Sequence, residues 1–435
     1  MPWAIRMRRF LRQPADADAR DDRHNFAAFL SDMFSYFSAS ALLSPVTILP
    51  LFALKLTDSK LIIALIPTLF SFGMVLPQAL GARLVHGLTR YRPFVIKFVI
   101  VERVAVVLAA VSFVVFAQSP KWLLLSMPLL FLSIWYFTMG INGPAYSAML
   151  TNAVAPQRRG RLHGIGAAVG AALGLASTAW ALHMLKTMRF PYGFAALTFL
   201  GAVILIIGVI PLGFVREKPH VPVEEHPTER GDGIFAIWKR DRQYRLYLVF
   251  QIVFALTGAQ TAIWTGYAVS SLRAGDADVV RLQMIITLAG GISYLASGWL
   301  ADHLGNRIVI LTSIILTAVA ALWAGLAPTL HWYMLSFIPS AMAVSAYGLA
   351  SFNILMEMAP PGKVPAYTAA GALISGPWRV MSPMLGGFIA LRVGYGAVFF
   401  TVVTAALMAA CLFFFVREPR RRIGVERVHA SPAHE

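Results

Sequence analysis

Apolar residues run through this chain in long unbroken stretches. Phe94–Phe116, Phe194–Phe214, Ile308–Leu326 and Ala397–Val416 are four of them, each long enough to cross a bilayer as a helix, which takes roughly 20 residues. Spanning strands would instead alternate between a lipid face and a polar lumen every second residue. These stretches do not alternate and are rich in Leu, Ala, Gly and Ile, so the pattern predicts helices, which satisfy their backbone groups internally. Twelve spans follow, at about 26–54, 61–82, 94–117, 122–149, 161–185, 191–214, 245–272, 279–301, 307–327, 332–357, 365–391 and 394–416. Polar breaks divide the chain into a basic N-terminus (1–25), a first six-helix bundle (26–215), a linker (216–244), a second bundle (245–416) and a tail (417–435).

Composition agrees with an all-α polytopic membrane protein. Of 435 residues, 58% are hydrophobic and 13% charged, about half the charged share of a soluble domain. The single cysteine, Cys411, rules out an internal disulfide framework. The net charge of +17 would suit a nucleic-acid partner, but its placement argues otherwise. Of the 37 Lys and Arg residues, 26 fall on one side of the predicted spans and eight on the other, with Lys97, Arg103 and Arg379 inside spans. That asymmetry predicts a cytoplasmic (inner) membrane protein with both termini in the cytoplasm. The excess charge then serves topology and anionic lipid headgroups, and no nucleic acid. Residues 1–24 lead straight into span 1, which is expected to act as an uncleaved signal anchor.

The linker segment Glu217–Gly233 is charged and Pro-rich, a poor core former, and Ile234–Arg245 reads as a helix lying in the interface. The flanking halves echo each other. Val215-Arg216-Glu217-Lys218-Pro219 answers Val416-Arg417-Glu418-Pro419, and Ala155-Pro156 answers Ala359-Pro360. Gly81, His86 and Arg90 answer Gly298, His303 and Arg307; Thr57-Asp58-Ser59 answers Asp276-Ala277-Asp278, both read as helix caps. Four matches in one order indicate a duplicated six-helix unit.

Gly298-Trp-Leu-Ala-Asp302-His-Leu-Gly305-Asn-Arg307, between spans 8 and 9, resembles the G-x-x-x-D-x-x-G-x-[RK] loop of the major facilitator superfamily. Glycines there allow a tight turn and close helix approach, and the Asp can cap a helix and pair with an Arg. The first-half copy, from Gly81 to Arg90, has Val85 where the Asp would stand, so the gating role of that Asp is not carried over. Arg159-Gly160-Arg161 resembles the superfamily's R-G-R element. Span 5 has glycines at 164, 166, 170 and 174 but lacks the G-P-x-x-G-G signature of proton-coupled drug antiporters. The resemblance, which extends to the many uncharacterised bacterial members, implies two pseudo-symmetric bundles rocking around a midplane cavity lined by spans 1, 4, 7 and 11, and supplies no substrate.

Charged residues within spans are costly and therefore candidates for function. Asp32, with Ser35 and Tyr36 on the same helical face, either takes up and releases a coupling proton or forms a gate salt bridge. Glu102 and Arg103 are neighbours that do not share a helix face; they read as structural or gate charges, alongside Gly298, Asp302, Gly305, Arg307 and Glu357. Arg379, in Gly376-Pro377-Trp378-Arg379, either holds a substrate carboxylate or phosphate beside the Trp378 ring, or neutralises Asp32 or Glu102. Tyr36, Asn142, Gln260, Trp264 and Tyr267 complete the cavity candidates, the last three on a polar-aromatic stripe of span 7.

No Walker loop, metal-ligand cluster or catalytic arrangement is visible, so no enzyme activity and no cofactor are expected. The function expected is secondary active transport of a small organic solute, as symporter or antiporter, by a monomer. The alternative is a sensor, assembly or lipid-handling protein of the same fold that moves no solute.

Overall fold

The computed structural model describes residues 15–217, 234–360 and 364–417. Arg6, Arg8, Arg9 and Arg12, the linker from Lys218 to Gly233, Lys363 and the tail beyond Arg417 lie outside the described residues, as does the side chain of Asp302. All regular structure described is helical. The first half comprises α1 (Ala15–Leu42), α2 (Ile48–Leu54), α3 (Lys60–Val75), α4 (Pro77–Val85), α5 (Arg92–Val115), α6 (Lys121–Ala153), α7 (Pro156–Thr187) and α8 (Tyr192–Val209), which ends in a 3₁₀ turn, Ile210–Phe214. After α9 (Ile234–Arg240), the second half comprises α10 (Arg242–Ala255), a 3₁₀ segment (Leu256–Ala262), α11 (Trp264–Ser270), α12 (Asp276–Leu304), α13 (Asn306–Leu326), α14 (Leu330–Leu335), α15 (Phe337–Met358), α16 (Val364–Arg392) and α17 (Tyr395–Phe414).

Ten helical lines, from Lys60–Val85 to Tyr395–Phe414, are long and apolar enough to cross a membrane. Two more, α1 with α2 and the whole of α16, pack among them and complete twelve. The chain is a multi-pass membrane protein. Its helices divide cleanly between lipid and core. On α5, Ile100, Val104, Val111 and Val115 form one exposed apolar stripe, while Glu102, Val106, Ala109 and Phe113 on the other side are buried. Hydroxyls that would otherwise be stranded bond back to the preceding turn, as Thr138 to the Ile134 carbonyl (2.7 Å) and Thr317 to that of Ser313 (2.8 Å). Small residues let backbones meet: a Cβ at Gly140 of α6 would strike the Gly73 carbonyl oxygen of α3.

Three elements depart from the sequence reading. Span 1 begins at Ala15, well before Phe26, because its first turns are tied down: Asp21 pairs with Arg216 (2.6 Å) and Asp22 with Arg158 (2.7 Å). The same span breaks after Leu42 at Ser44-Pro45, where proline cannot donate to the ladder. Span 7 is interrupted by the 3₁₀ segment, and the expected interfacial helix over 234–245 is two helices. Asp241 divides them by accepting from the Gln243 and Tyr244 backbone nitrogens, which starts α10.

The loop between α12 and α13 turns at Gly305, whose φ of +92° favours glycine. Gly298 has open space where a Cβ would stand, so close helix approach does not account for it. Arg159 clasps the end of α6, donating to the Thr151 (2.6 Å) and Val154 (3.1 Å) carbonyls.

Polar bridges between the halves gather at the end away from the chain termini. Lys55 pairs with Asp276 (2.7 Å), Thr47 donates to Gln283 (2.5 Å), Thr265 to the Val46 carbonyl (2.7 Å) and Lys60 to the Ala390 carbonyl (2.7 Å). At the other end, Asp22–Arg158, Asp21–Arg216 and Asn306–Glu357 (2.9 Å) each join helices of one half.

Candidate functional site

Inside the first half, four helices bring a charged cluster together. Arg103 of α5 lies 3.0 Å from Glu102 and 3.6 Å from Asp32 of α1, and its Nε donates to the Leu205 carbonyl of α8 at 3.2 Å. From α6, Asn142 Nδ2 donates to Glu102 Oε1 (3.1 Å) and the Tyr146 hydroxyl donates to Asp32 Oδ2 (2.9 Å). Asp32, Glu102, Arg103 and Asn142 are all buried. Tyr36, one turn along α1, is within electrostatic reach of Asp32, Glu102 and Tyr294.

The helix period explains the assembly. Asp32 and Tyr36 are four apart on α1, and Asn142 and Tyr146 four apart on α6, so each helix presents two polar groups from one face. Glu102 and Arg103 point about 100° apart on α5, yet both are buried, because the long Arg103 side chain folds back across its neighbour. Two carboxylates and one guanidinium leave the cluster with a formal charge of −1 when all three are ionised. A buried charge of that kind is costly unless a proton or a mobile cation offsets it.

Several buried polar atoms have no hydrogen-bond partner among the described residues: Asn142 Oδ1 in the cluster itself, Trp135 Nε1 and Tyr136 Oη elsewhere on α6, and Gln260 Oε1 on the 3₁₀ segment of span 7. In a dry core each would cost several kcal/mol.

The second half contributes Arg379 on α16. Its guanidinium is exposed and makes no hydrogen bond or ion pair among the described residues. It lies within electrostatic reach of Tyr247 and Tyr347. Tyr247 donates to the Ser351 carbonyl (2.9 Å) and accepts from Gln251 (3.0 Å). Arg379 is not what neutralises Asp32 or Glu102; Arg103 does that.

Other sequence candidates stand elsewhere. Trp264 is buried in the apolar core of the second half against Phe337 and Phe399, and its carbonyl accepts from Tyr333 (2.8 Å). Tyr267 packs in the same cluster against Tyr333, Tyr395 and Phe399. An aromatic stripe at helical spacing reads alike for a cavity and for a core, and here it is core. Trp378 belongs to an exposed apolar stripe of α16 with Met381, Leu385 and Phe388; adjacent residues differ by about 100°, so its ring does not stack beside Arg379. Glu357 accepts from Asn306 and links α15 to α13, while Arg307 donates to the Phe414 carbonyl at 3.0 Å. The sequence reading missed Gln251, Tyr247 and Tyr347, whose polar atoms carry no signal until α10, α15 and α16 are placed together.

Comparison with known proteins accords with this architecture. Residues 270–433 match the family model of the Major Facilitator Superfamily. A multidrug resistance protein, MdtG, from Proteus mirabilis is 25% identical over 245 residues, 53% of this chain and 59% of its own length. A cis,cis-muconate transport protein from Acinetobacter baylyi is 26% identical over 184 residues, 40% of this chain and 44% of its own. The alignments thus span about half the length of these relatives. The E. coli fucose:proton symporter FucP has the same fold, with a TM-score of 0.62 at 14% identity over 90% of this chain and 98% of its own. Residues 270–433 are thus similar to the major facilitator superfamily, and the chain as a whole has the fold of the fucose:proton symporter.

Proposed function

We propose that this protein is a proton-coupled secondary transporter that moves a small organic solute across the cytoplasmic membrane by alternating access. The observation that carries the reading is the buried cluster in which Asp32 and Glu102 share the single guanidinium of Arg103. One carboxylate of the pair is left without a matching cation, so adding a proton makes the cluster neutral and removing it restores the charge. A proton symporter among the structural neighbours and transporters among the sequence relatives support the same class.

The two bundles, 26–215 and 245–416, act as rocking units joined by the linker 216–244. The bridges Lys55–Asp276 and Thr47–Gln283 hold one end closed, and the asymmetry of Lys and Arg puts that end outside and both termini in the cytoplasm. The protein works as a monomer surrounded by lipid, with Asn142, Tyr36 and Gln260 facing the solute path. The test is accumulation in proteoliposomes: an imposed pH gradient drives solute uptake by the wild type and not by Asp32→Asn. Uptake that ignores the gradient contradicts proton coupling, and binding without any uptake favours a non-transporting sensor.

A further inference from the structure

We propose that Arg379 recognises a small organic anion, and that the transported unit is one monoanion with one proton, carrying no net charge. The inference rests on the transport reading above and adds the substrate class and the stoichiometry.

Position comes first. Three residues before Arg379, Gly376 packs against Val75 at the end of α3. Three residues after it, Ser382 faces Gly258 in the 3₁₀ segment of span 7, and further on Gly386 and Gly387 meet Ala259 and Ala64. Positions three and four apart lie on one helix face. Arg379 is therefore on the face of α16 that looks into the groove between the first half's α3 and the broken span 7. The opposite stripe, with Met381 65% exposed, looks outward. A residue on an inward face that is nonetheless exposed lines open space.

Charge comes second. Among the described residues, the charged side chains at mid-depth in the spans are Asp32, Glu102 and Arg103 in the first half and Arg379 in the second. Arg103 is engaged by two carboxylates, whereas Arg379 has no acid partner. A guanidinium in this setting, with no counter-ion of its own, suits a planar carboxylate or a phosphate, which it can bind through two parallel N–H groups. The Tyr247–Gln251–Tyr347 group within its reach supplies further hydroxyl and amide contacts.

The two halves then balance. Empty, the cavity holds +1 at Arg379 and −1 in the Asp32–Glu102–Arg103 cluster. A monoanion at Arg379 and a proton on one carboxylate neutralise both sites, so the loaded carrier closes without burying an unmatched charge. Either ligand alone leaves one charge exposed to a dry interface. The groups facing the titrating pair are Arg103, Asn142, Tyr146 and Tyr36, with Tyr294 of α12 behind Tyr36.

The experiment measures binding and charge movement on the detergent-purified full chain. Thermal stabilisation is scanned with small carboxylates (benzoate and cis,cis-muconate among them), phosphate esters, the neutral isostere benzamide and fucose. Anions are expected to protect and neutral isosteres not. Arg379→Gln should weaken the best anion roughly thirtyfold or more, with Arg379→Lys intermediate. In proteoliposomes, uptake of the best monoanion should rise with an inside-alkaline gradient and stay indifferent to an imposed membrane potential. A dianion should be accelerated by an inside-positive potential. The proposal is overturned if a neutral compound binds as tightly as its anionic counterpart, if no anion binds at 10 mM (an order-of-magnitude ceiling, about −3 kcal/mol), if Arg379→Gln binds unchanged, or if monoanion uptake follows the potential. Anion binding that depends on Arg379 in a protein showing no uptake would contradict the transport reading alone.

Discussion

The guanidinium of Arg103 on α5 lies 3.6 Å from the carboxylate of Asp32 on α1, while the same guanidinium bonds Glu102 at 3.0 Å. One cation thereby serves two acids in the interior of a six-helix bundle, with no second cation among the described residues to share the work. The arrangement is stable only while the surplus negative charge is managed.

Removing Arg103 leaves both acids without their cation. Arg103→Met should destabilise the protein by about 3–5 kcal/mol, the usual cost of stripping one partner from a buried ion pair. Combining it with Asp32→Asn and Glu102→Gln should recover much of that loss, because an apolar and neutral core replaces the charged one. Thermal unfolding of the purified single and triple variants checks this, and a triple variant no more stable than Arg103→Met would contradict it.

The Lys55–Asp276 pair joins the halves where both side chains are about one-third exposed, so its contribution to overall stability is small, about 0–1 kcal/mol. Its effect should appear in the balance between conformations. With Cys411→Ser as background, a cysteine replacing Thr265, which is buried and bonded to the Val46 carbonyl, reports opening from that side. Lys55→Ala and Asp276→Ala should each speed labelling by an impermeant maleimide severalfold, with melting temperature little changed. Equal labelling rates would show that the pair does not hold this end shut.

Gly140 has no room for a side chain, because the Gly73 backbone of α3 occupies the place a Cβ would take. Gly140→Ala should cost about 1–3 kcal/mol through overpacking, since the obstacle is main chain and cannot rotate away. Gly298→Ala, in open space within α12, should be neutral or stabilising by up to about 1 kcal/mol, because alanine is the better helix former. Melting temperatures of the two variants separate a packing glycine from one kept for other reasons.

Much of this fold was legible because lipid imposes one rule on every span. Long apolar stretches were enough to number the helices, and Ser59 does cap α3 by accepting from Ile62. The breaks were not legible. Span 7 reads as one continuous helix with a polar-aromatic stripe, and its 3₁₀ segment coincides with close packing of Gly258 and Ala259 against α16, which no local pattern encodes. In the candidate site, Asp32 and Asn142 stood out by polarity alone. Glu102 and Arg103 stood out as charges within a span, but their pairing with Asn142 and Asp32 did not, because it depends on the depth and rotation of helices far apart in sequence. Trp264 and Trp378 misled for the opposite reason: size and aromaticity suit a cavity, a core and a lipid face equally well.

Proton movement on solute addition reports on the Asp32–Glu102 cluster itself. Proteoliposomes in a weakly buffered medium are given the best-binding solute, and the external pH is followed while uptake proceeds. Wild-type protein should make the medium alkaline in step with uptake, whereas Asp32→Asn and Glu102→Gln, checked as folded, should lose or uncouple the signal while keeping solute exchange. Unchanged alkalinisation in both variants would contradict the assignment of this cluster as the coupling site.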